Sequence, residues 1–394
     1  MLARRIAIVT TSRADYGIYR PVARALAART GVEVGYLVSG THLAADHGST
    51  IGEIEADGLP VLARIDLGIG ADDPAALTRV MAAATDGFGK ALARTTPDLV
   101  LALGDRFEML AAVAATLPFG LPVAHLHGGE LSLGAVDEVI RHAITKISHL
   151  HFVATAAYGT RVAQMGEEEW RITVSGAPAL DTLAQETLPD RTALEARTGR
   201  SLTPAPLLVT LHPETRSDFA VEAQADALLE GLRSRERPIV FTAPNADPGG
   251  RRLRARIEAF VAEHRNAVLV ESLGSTNYFG MMRIAAAMVG NSSSGIIEAA
   301  SFTLPVVNIG QRQDGRLRAP NVIDCGWTPG EIDDALERAL NPAFAAMLPA
   351  NVNPYGDGKA GERIAQVLAT IPLDGHLLRK RFVDHPAQTM PVRS

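Results

Sequence analysis

Short apolar runs that stop at a glycine or a polar cluster and then give way to a helical stretch recur along this chain, and they constrain its fold more than any other feature. Leu99 to Leu103 is such a run, bounded by Gly104, and it reads as a buried parallel strand. Leu121 to Leu126 reads as the next strand, after an alanine-rich helix. The same alternation is expected from Arg5–Thr10, Val32–Val38, a strand near 60–64 and His151–Ala154 in the first half. It restarts with Leu207–Leu211, Pro238–Ala243, Ala267–Glu271, Ala287–Val289 and Pro305–Ile309. Strands alternating with helices build parallel sheets with helices on both faces, so the expected class is α/β.

In open α/β sheets, ligands bind outside the carboxyl ends of the strands. The polar residues of this sequence gather at those ends. Asp105 and Arg106 follow the strand at 99–103; His125, His127 and Glu130 crowd the end of the next; Asp137 and Glu138 open the helix carrying Arg141, His142 and Lys146. Carboxylates and histidines at two neighbouring strand ends can perform acid–base chemistry on a molecule bound in a cleft. Each has a plainer reading. Asp105 or Asp137 can cap a helix, and Gly128–Gly129 can be only a turn. It is their convergence that marks an active site.

Composition bounds the setting. The 394 residues are 47% hydrophobic, enough for two packed α/β units and unlike a disordered chain. A single cysteine, Cys325, excludes a disulfide framework and a cysteine-based metal cluster, and points to a reducing, cytoplasmic compartment. The start, MLARRIAIVT, runs straight into TTSRAD without the pattern of a signal peptide, and no apolar run reaches the roughly 18 residues of a membrane span. Net charge is −6, and no basic stripe with interleaved aromatics is present, so neither nucleic acid nor a membrane is an expected partner. An acidic chain that binds an anion must place its arginines locally.

Two places satisfy that requirement. TSRADYG, between the first strand and a helix expected over 18–29, sets Arg13 and the amides from Ala14 to Ile18 at a helix N-terminus. It is not the dinucleotide fingerprint, because GxGxxG is missing there. GNSSSGIIE is the second: successive amides in a Gly/Ser-rich turn make an anion nest, with Glu298 expected on the first turn of the helix that follows. An ordinary N-cap is the plainer reading of Ser292 and Ser293, and a surface position that of Arg312. His42 and His47 lie in a polar loop where a solvated histidine is the ordinary finding. The Pro- and charge-rich stretch over 176–205 reads as a junction. The expected layout is a unit over 1–175, a second over 176–365, and a tail over 366–394 packing back on the first.

SRADYG, SGTHL, GDRFE, HLHGGE, DEVIRHAITKISHLHF, SGAPALD, HPET, PNADPGGR, GNSSSGIIE and NIGQRQDGR occur in this order over about 5–325. In this the chain resembles the hydrolysing UDP-N-acetylglucosamine 2-epimerases of bacterial sialic- and legionaminic-acid pathways. The resemblance implies a GT-B-like fold, two Rossmann-like domains with parallel sheets facing an interdomain cleft. It implies conversion of UDP-GlcNAc and water to UDP and N-acetylmannosamine through a 2-acetamidoglucal, with no cofactor, metal or otherwise. UDP-N,N′-diacetylbacillosamine is the alternative substrate; residues near 42–48 and 131–136 would choose between the two sugars. By position in the motifs, Asp105 and Asp137 are acid–base residues. Arg13, Ala14, His212, Ser292, Ser293 and Arg312 hold the diphosphate and Glu298 the ribose. Ile18, His42, Arg106, Asn245, Leu273 and Gly295 complete the substrate-binding set. Some members carry a catalytic glutamate where this chain has His127, so the third acid–base group is His127 or Glu130. A homo-oligomer, dimer or tetramer, is also implied. A glycosyltransferase, a non-hydrolysing epimerase and a non-catalytic UDP-sugar sensor are the competing readings. A sensor would be expected to lose Asp105 or Asp137, and both are present.

Overall fold

Seven apolar runs of the first half pair as strands of one sheet: β1 Arg4–Thr10, β2 Val32–Ser39, β3 Val61–Ile65, β4 Leu99–Leu103, β5 Val123–Leu126, β6 Leu150–Val153 and β7 Ile172–Val174. The computed structural model describes residues 3–44, 50–68, 73–133, 136–214, 217–244, 249–348 and 353–384. The strand order is β3-β2-β1-β4-β5-β6-β7, and every pairing is parallel. A second parallel sheet is formed by β8 Leu207–Thr210, β9 Ile239–Thr242, β10 Ala267–Val270, β11 Ala287–Gly290, β12 Val306–Ile309 and β13 Val322–Cys325, ordered β10-β9-β8-β11-β12-β13.

The two-residue period of a strand sends alternate side chains to opposite layers. Ile6, Ile8, Leu99 and Leu101 join Tyr19, Val22 and Leu26 on one face of the first sheet. Ala7, Val9, Val100 and Ala102 meet Val80, Phe88, Met109 and Ile144 on the other. In the second sheet Leu207, Val209, Ile239 and Phe241 face one core, and Leu208, Val240 and Met288 the other. Both faces are covered, which is why these runs are continuously apolar.

Several elements differ from the sequence reading. The first helix spans Arg13–Ala27 and so starts before 18, because Ser12 caps it by accepting from the Asp15 amide. Arg13 and Ala14 are therefore in its first turn, and Pro21 sits inside it. The edge strands β7 and β13 are short and half-exposed, so they lack the continuous apolar signature of the central strands. The stretch read as a junction contains the helices Ala179–Gln185 and Arg191–Thr198. Packing back onto the first sheet begins before 366. Ala360, Ile364 and Leu368 of the helix Ala360–Thr370 lie in the core of Tyr19 and Val22. The Asp181 carboxylate accepts from the amides of Ala360 (2.9 Å) and Gly361 (2.6 Å) at its start.

Candidate active site

Each sheet reverses its winding between two neighbouring strands, β1 and β4 in the first and β8 and β11 in the second. A crevice opens at the carboxyl ends of such strands because their loops depart in opposite directions. The two crevices share one cavity of about 430 Å³. Its walls from the first half are the turns after β1, β4 and β5 and the start of the helix Asp137–Ile147. From the second half come the loops after β8, β9, β10, β11 and β12.

Of the residues read as functional, Arg13, Ala14, Ile18, Asp105, Arg106, His127, Glu130, Asp137, His212, Leu273, Ser292, Ser293, Glu298 and Arg312 line this cavity. Three do not. The His42 ring is fully buried behind the wall, held by the hydroxyls of Thr10 (2.9 Å) and Thr50 (2.6 Å), and burial pushes its pKa down. Gly295 lies against β12, where an added Cβ would stand 2.9 Å from Val306 Cγ1, so packing of helix on strand accounts for it. Asn245 and His47 lie outside the described residues. His125 also turns away from the cavity. It bonds the Gly104 carbonyl (2.8 Å) and Thr145 Oγ1 (3.2 Å), and burial lowers it to about 3, so it stays neutral.

The wall that carries the carboxylates is tightly wired. Asp105 follows Gly104, whose φ of +72° turns the chain sharply at the end of β4. Its carboxylate accepts from Arg141, a fully buried arginine that also donates to the Glu130 carbonyl (2.9 Å) and Ser132 Oγ (2.9 Å). Asp137, first residue of its helix, lies 3.6 Å from Arg312 Nη2 of the second half. Glu130 is fully buried, with Oε1 2.6 Å from His127 Nδ1 and Oε2 2.9 Å from Arg316 Nη1. Burial would raise its pKa, but Arg316 and His127 outweigh that and hold it below the usual carboxylate range.

The opposite wall is built from amides and hydroxyls. Ser292 caps the helix Ser293–Ile297 by accepting from the Ser294 amide. Asn291 fixes the neighbouring loop, accepting from the His212 amide (2.8 Å) and donating to its carbonyl (2.9 Å). Glu298 stands at the C-terminal end of this short helix and not on its first turn. Burial pushes its carboxyl up to about 8, and Oε2 has no hydrogen-bond partner among the described residues. Among the described residues, no group of three or more His, Cys, Asp or Glu is arranged to hold a metal ion.

Arg316, Ser132 and Asn291 were not singled out in sequence, and Arg141 was named on its helix without a role. Arg316 lies within the quoted NIGQRQDGR and Asn291 within GNSSSGIIE, so the motifs contained both.

Two parallel, doubly wound sheets sharing one cavity, with carboxylates and a histidine on one wall and a Gly/Ser-rich turn with Arg312 on the other, define an α/β enzyme of GT-B-like architecture. Residues 24–369 match the UDP-N-acetylglucosamine 2-epimerase family, and the chain belongs to that family. It is 38% identical over 379 residues to the hydrolysing UDP-N,N′-diacetylbacillosamine 2-epimerase of Legionella pneumophila, covering 96% of this chain and 99% of that protein. It is 35% identical over 387 residues to the hydrolysing GDP/UDP-N,N′-diacetylbacillosamine 2-epimerase of Campylobacter jejuni, covering 98% and 100%. The crystal structure of the Neisseria meningitidis UDP-GlcNAc 2-epimerase bound to UDP-GlcNAc shares the fold, with a TM-score of 0.77 at 18% identity over 92% of this chain and 99% of that one.

Proposed function

We propose that this chain hydrolyses a UDP-linked 2-acetamido sugar with inversion at C2, releasing UDP and the free sugar. The observation that carries the reading is the sharing of one cavity by Asp105, Asp137 and the His127–Glu130 pair with Ser292, Ser293 and Arg312. A proton at C2 is weakly acidic, so its removal needs a base fixed in a secluded site while the departing charge is absorbed elsewhere. In the first step the C2–H pair becomes the C1=C2 double bond, and the C1–O bond breaks with its electrons passing to the diphosphate. Amides and hydroxyls of the Ser292–Ser293 turn, with Arg312 and His212, receive that charge; Arg13 and Ala14 approach it from the first half. In the second step the oxygen of water adds to C1 while a carboxylate of the site takes its proton, and C2 takes a proton on its other face from an aspartic acid, Asp105 or Asp137. Glu298 accepts from the ribose hydroxyls. Residues 1–175 thus supply proton transfer and 176–365 the nucleotide site.

Of the two sugars, we favour UDP-N,N′-diacetylbacillosamine, supported by relatives at 38% and 35% identity over nearly the whole chain that carry that substrate in their names. The test is incubation of the purified protein with each UDP-sugar, followed by NMR. UDP together with 2,4-diacetamido-2,4,6-trideoxymannose is the expected result. UDP and N-acetylmannosamine from UDP-GlcNAc alone would keep the chemistry and move the substrate. An intact UDP-linked C2 epimer would overturn hydrolysis.

A further inference from the structure

His127 occupies a backbone conformation that a histidine adopts for a reason. Its φ is +63°, in the left-handed region, and its amide donates to the Phe152 carbonyl (3.0 Å). This turn carries the ring off the end of β5 and into the cavity wall. There Nδ1 meets Glu130 at 2.6 Å, while Nε2 is buried and has no partner among the described residues. An ionised carboxylate can only accept, so Nδ1 carries the proton and Nε2 of the neutral ring carries a lone pair. Glu130 is spent in this arrangement: one oxygen faces His127 and the other faces Arg316.

From this we propose that His127 Nε2 is the base that removes the C2 proton, with Glu130 and Arg316 as positioning residues. The proposal rests on the hydrolysing 2-epimerase reading and assigns its proton-transfer atom. The C2 proton moves to Nε2, its bonding pair forms C1=C2, UDP leaves with the C1–O pair, and the imidazolium then returns its proton to solvent. Arg316 comes from the loop after β12, the same loop that carries Arg312 toward the anion nest. Its guanidinium also donates to the Leu131 carbonyl (3.2 Å), and the Leu317 amide donates to Tyr158 of the first half (3.0 Å). The loop that meets the nucleotide therefore also aligns the base, through Glu130. Other charged groups on the cavity wall are Arg13 and Asp15 from the helix after β1, Asp105 and Arg106 from the turn after β4, Asp137 and Arg141 from the helix after β5, Glu271 from the loop after β10, Glu298 at the end of the helix after β11, and Arg312.

The experiment compares UDP release by the parent, His127→Asn, His127→Gly and Glu130→Gln. Asparagine and glycine both accept a positive φ, so the turn survives, and unchanged UDP affinity confirms the fold. His127→Asn is expected to lose about a hundredfold or more in kcat. His127→Gly is expected to regain activity when imidazole is added, following the titration of free imidazole. Nitrogen NMR of the His127 ring is expected to show the Nδ1–H tautomer in the parent and its loss in Glu130→Gln. Turnover by His127→Asn within threefold of an active parent would overturn the assignment. So would an inactive Glu130→Gln alongside a His127→Gly that imidazole does not restore, since Glu130 would then be the base. A parent inactive on both UDP-sugars would instead overturn the epimerase reading beneath it.

Discussion

Arg316 of the second half ends 2.9 Å from the carboxylate of Glu130 in the first, so the loop that also carries Arg312 supplies the counter-ion of the His127–Glu130 pair. Arg316 favours the ionised form of Glu130, and removing that cation raises the Glu130 pKa. Once protonated, Glu130 no longer anchors the Nδ1 proton of His127. Arg316→Met is therefore expected to move the acid limb of the kcat profile upward by about one pH unit or more. Arg316→Lys, which keeps the charge and loses the fork, should fall between parent and Met. Profiles of kcat and kcat/KM from pH 5 to 9 check this, with UDP affinity as the control for folding.

Glu298 behaves in the opposite way. Its carboxyl is raised by burial from 4.5 to about 8. Between those values the folded chain holds a proton that the unfolded chain has released, so stability falls as pH rises through this window. Glu298→Gln removes that dependence. Its melting temperature should match the parent near pH 4.5 and exceed it increasingly toward pH 8. UDP affinity should move the other way, weakening about tenfold at pH 8, since the amide forfeits a charge-assisted bond to the ribose. Melting curves and UDP titrations at pH 5 and pH 8 separate the two effects.

Gly129 is required for two independent reasons. Its φ is +76°, and a Cβ there would stand 2.4 Å from the Tyr158 carbonyl oxygen and 2.9 Å from Val162 Cγ2. Neither contact involves a flexible end that can swing away. Gly129→Ala is expected to cost about 1–3 kcal/mol of stability. It should also lower turnover, because the displaced turn lies between His127 and Glu130. Chemical denaturation and kcat measured on one preparation test both parts.

How much of this was legible in sequence depended on the range of the interaction. The ends of β4 and β5 could be read because a short apolar run stops abruptly at Asp105 or His127, which is a local signal. The Gly/Ser-rich turn on the cavity wall was legible for the same reason, since Ser292 and Ser293 declare themselves by composition. Arg316 was not, and Arg141 was named only as a residue of its helix. An arginine on a helix or in a loop looks like surface until the fold buries it, and Arg316 becomes a site residue only when the second half meets Glu130. His42 failed in the other direction: a histidine in a polar loop reads as solvated, yet the loop folds inward and two threonine hydroxyls satisfy the ring. The first helix was read late because Ser12 and Asp15 cap it within a stretch that resembles a plain turn.

The return of the chain to the first sheet gives a prediction about acid stability. Glu167 is buried and accepts from Lys146 Nζ (2.6 Å) and His151 Nε2 (3.0 Å), with Lys380 Nζ 2.8 Å away. Lys380 also donates to the carbonyls of Lys146 (2.7 Å) and Ser148 (2.6 Å), and Arg171 to that of Leu377 (2.7 Å). This cluster pins residues 376–380 against the end of the helix Asp137–Ile147 and the start of β6. Burial alone would raise the Glu167 pKa, but the bonds from His151, Lys146 and Lys380 lower it from 4.5 to about 2. A depressed carboxylate contributes stability that is present above 4.5 and lost as pH falls through about 2. Glu167→Gln should thus destabilise the protein at pH 7 by about 3 kcal/mol, as expected when one partner of a buried ionic cluster is removed. Its stability should then change less than the parent's between pH 4.5 and 2. Limited proteolysis at pH 7 should cut near Lys380 and Arg381 faster in the variant, because a segment released from Glu167 can fit a protease cleft that the pinned segment cannot. Equal cleavage rates in both proteins would mean that Arg171 and the apolar contact of Leu377 hold the segment without Glu167.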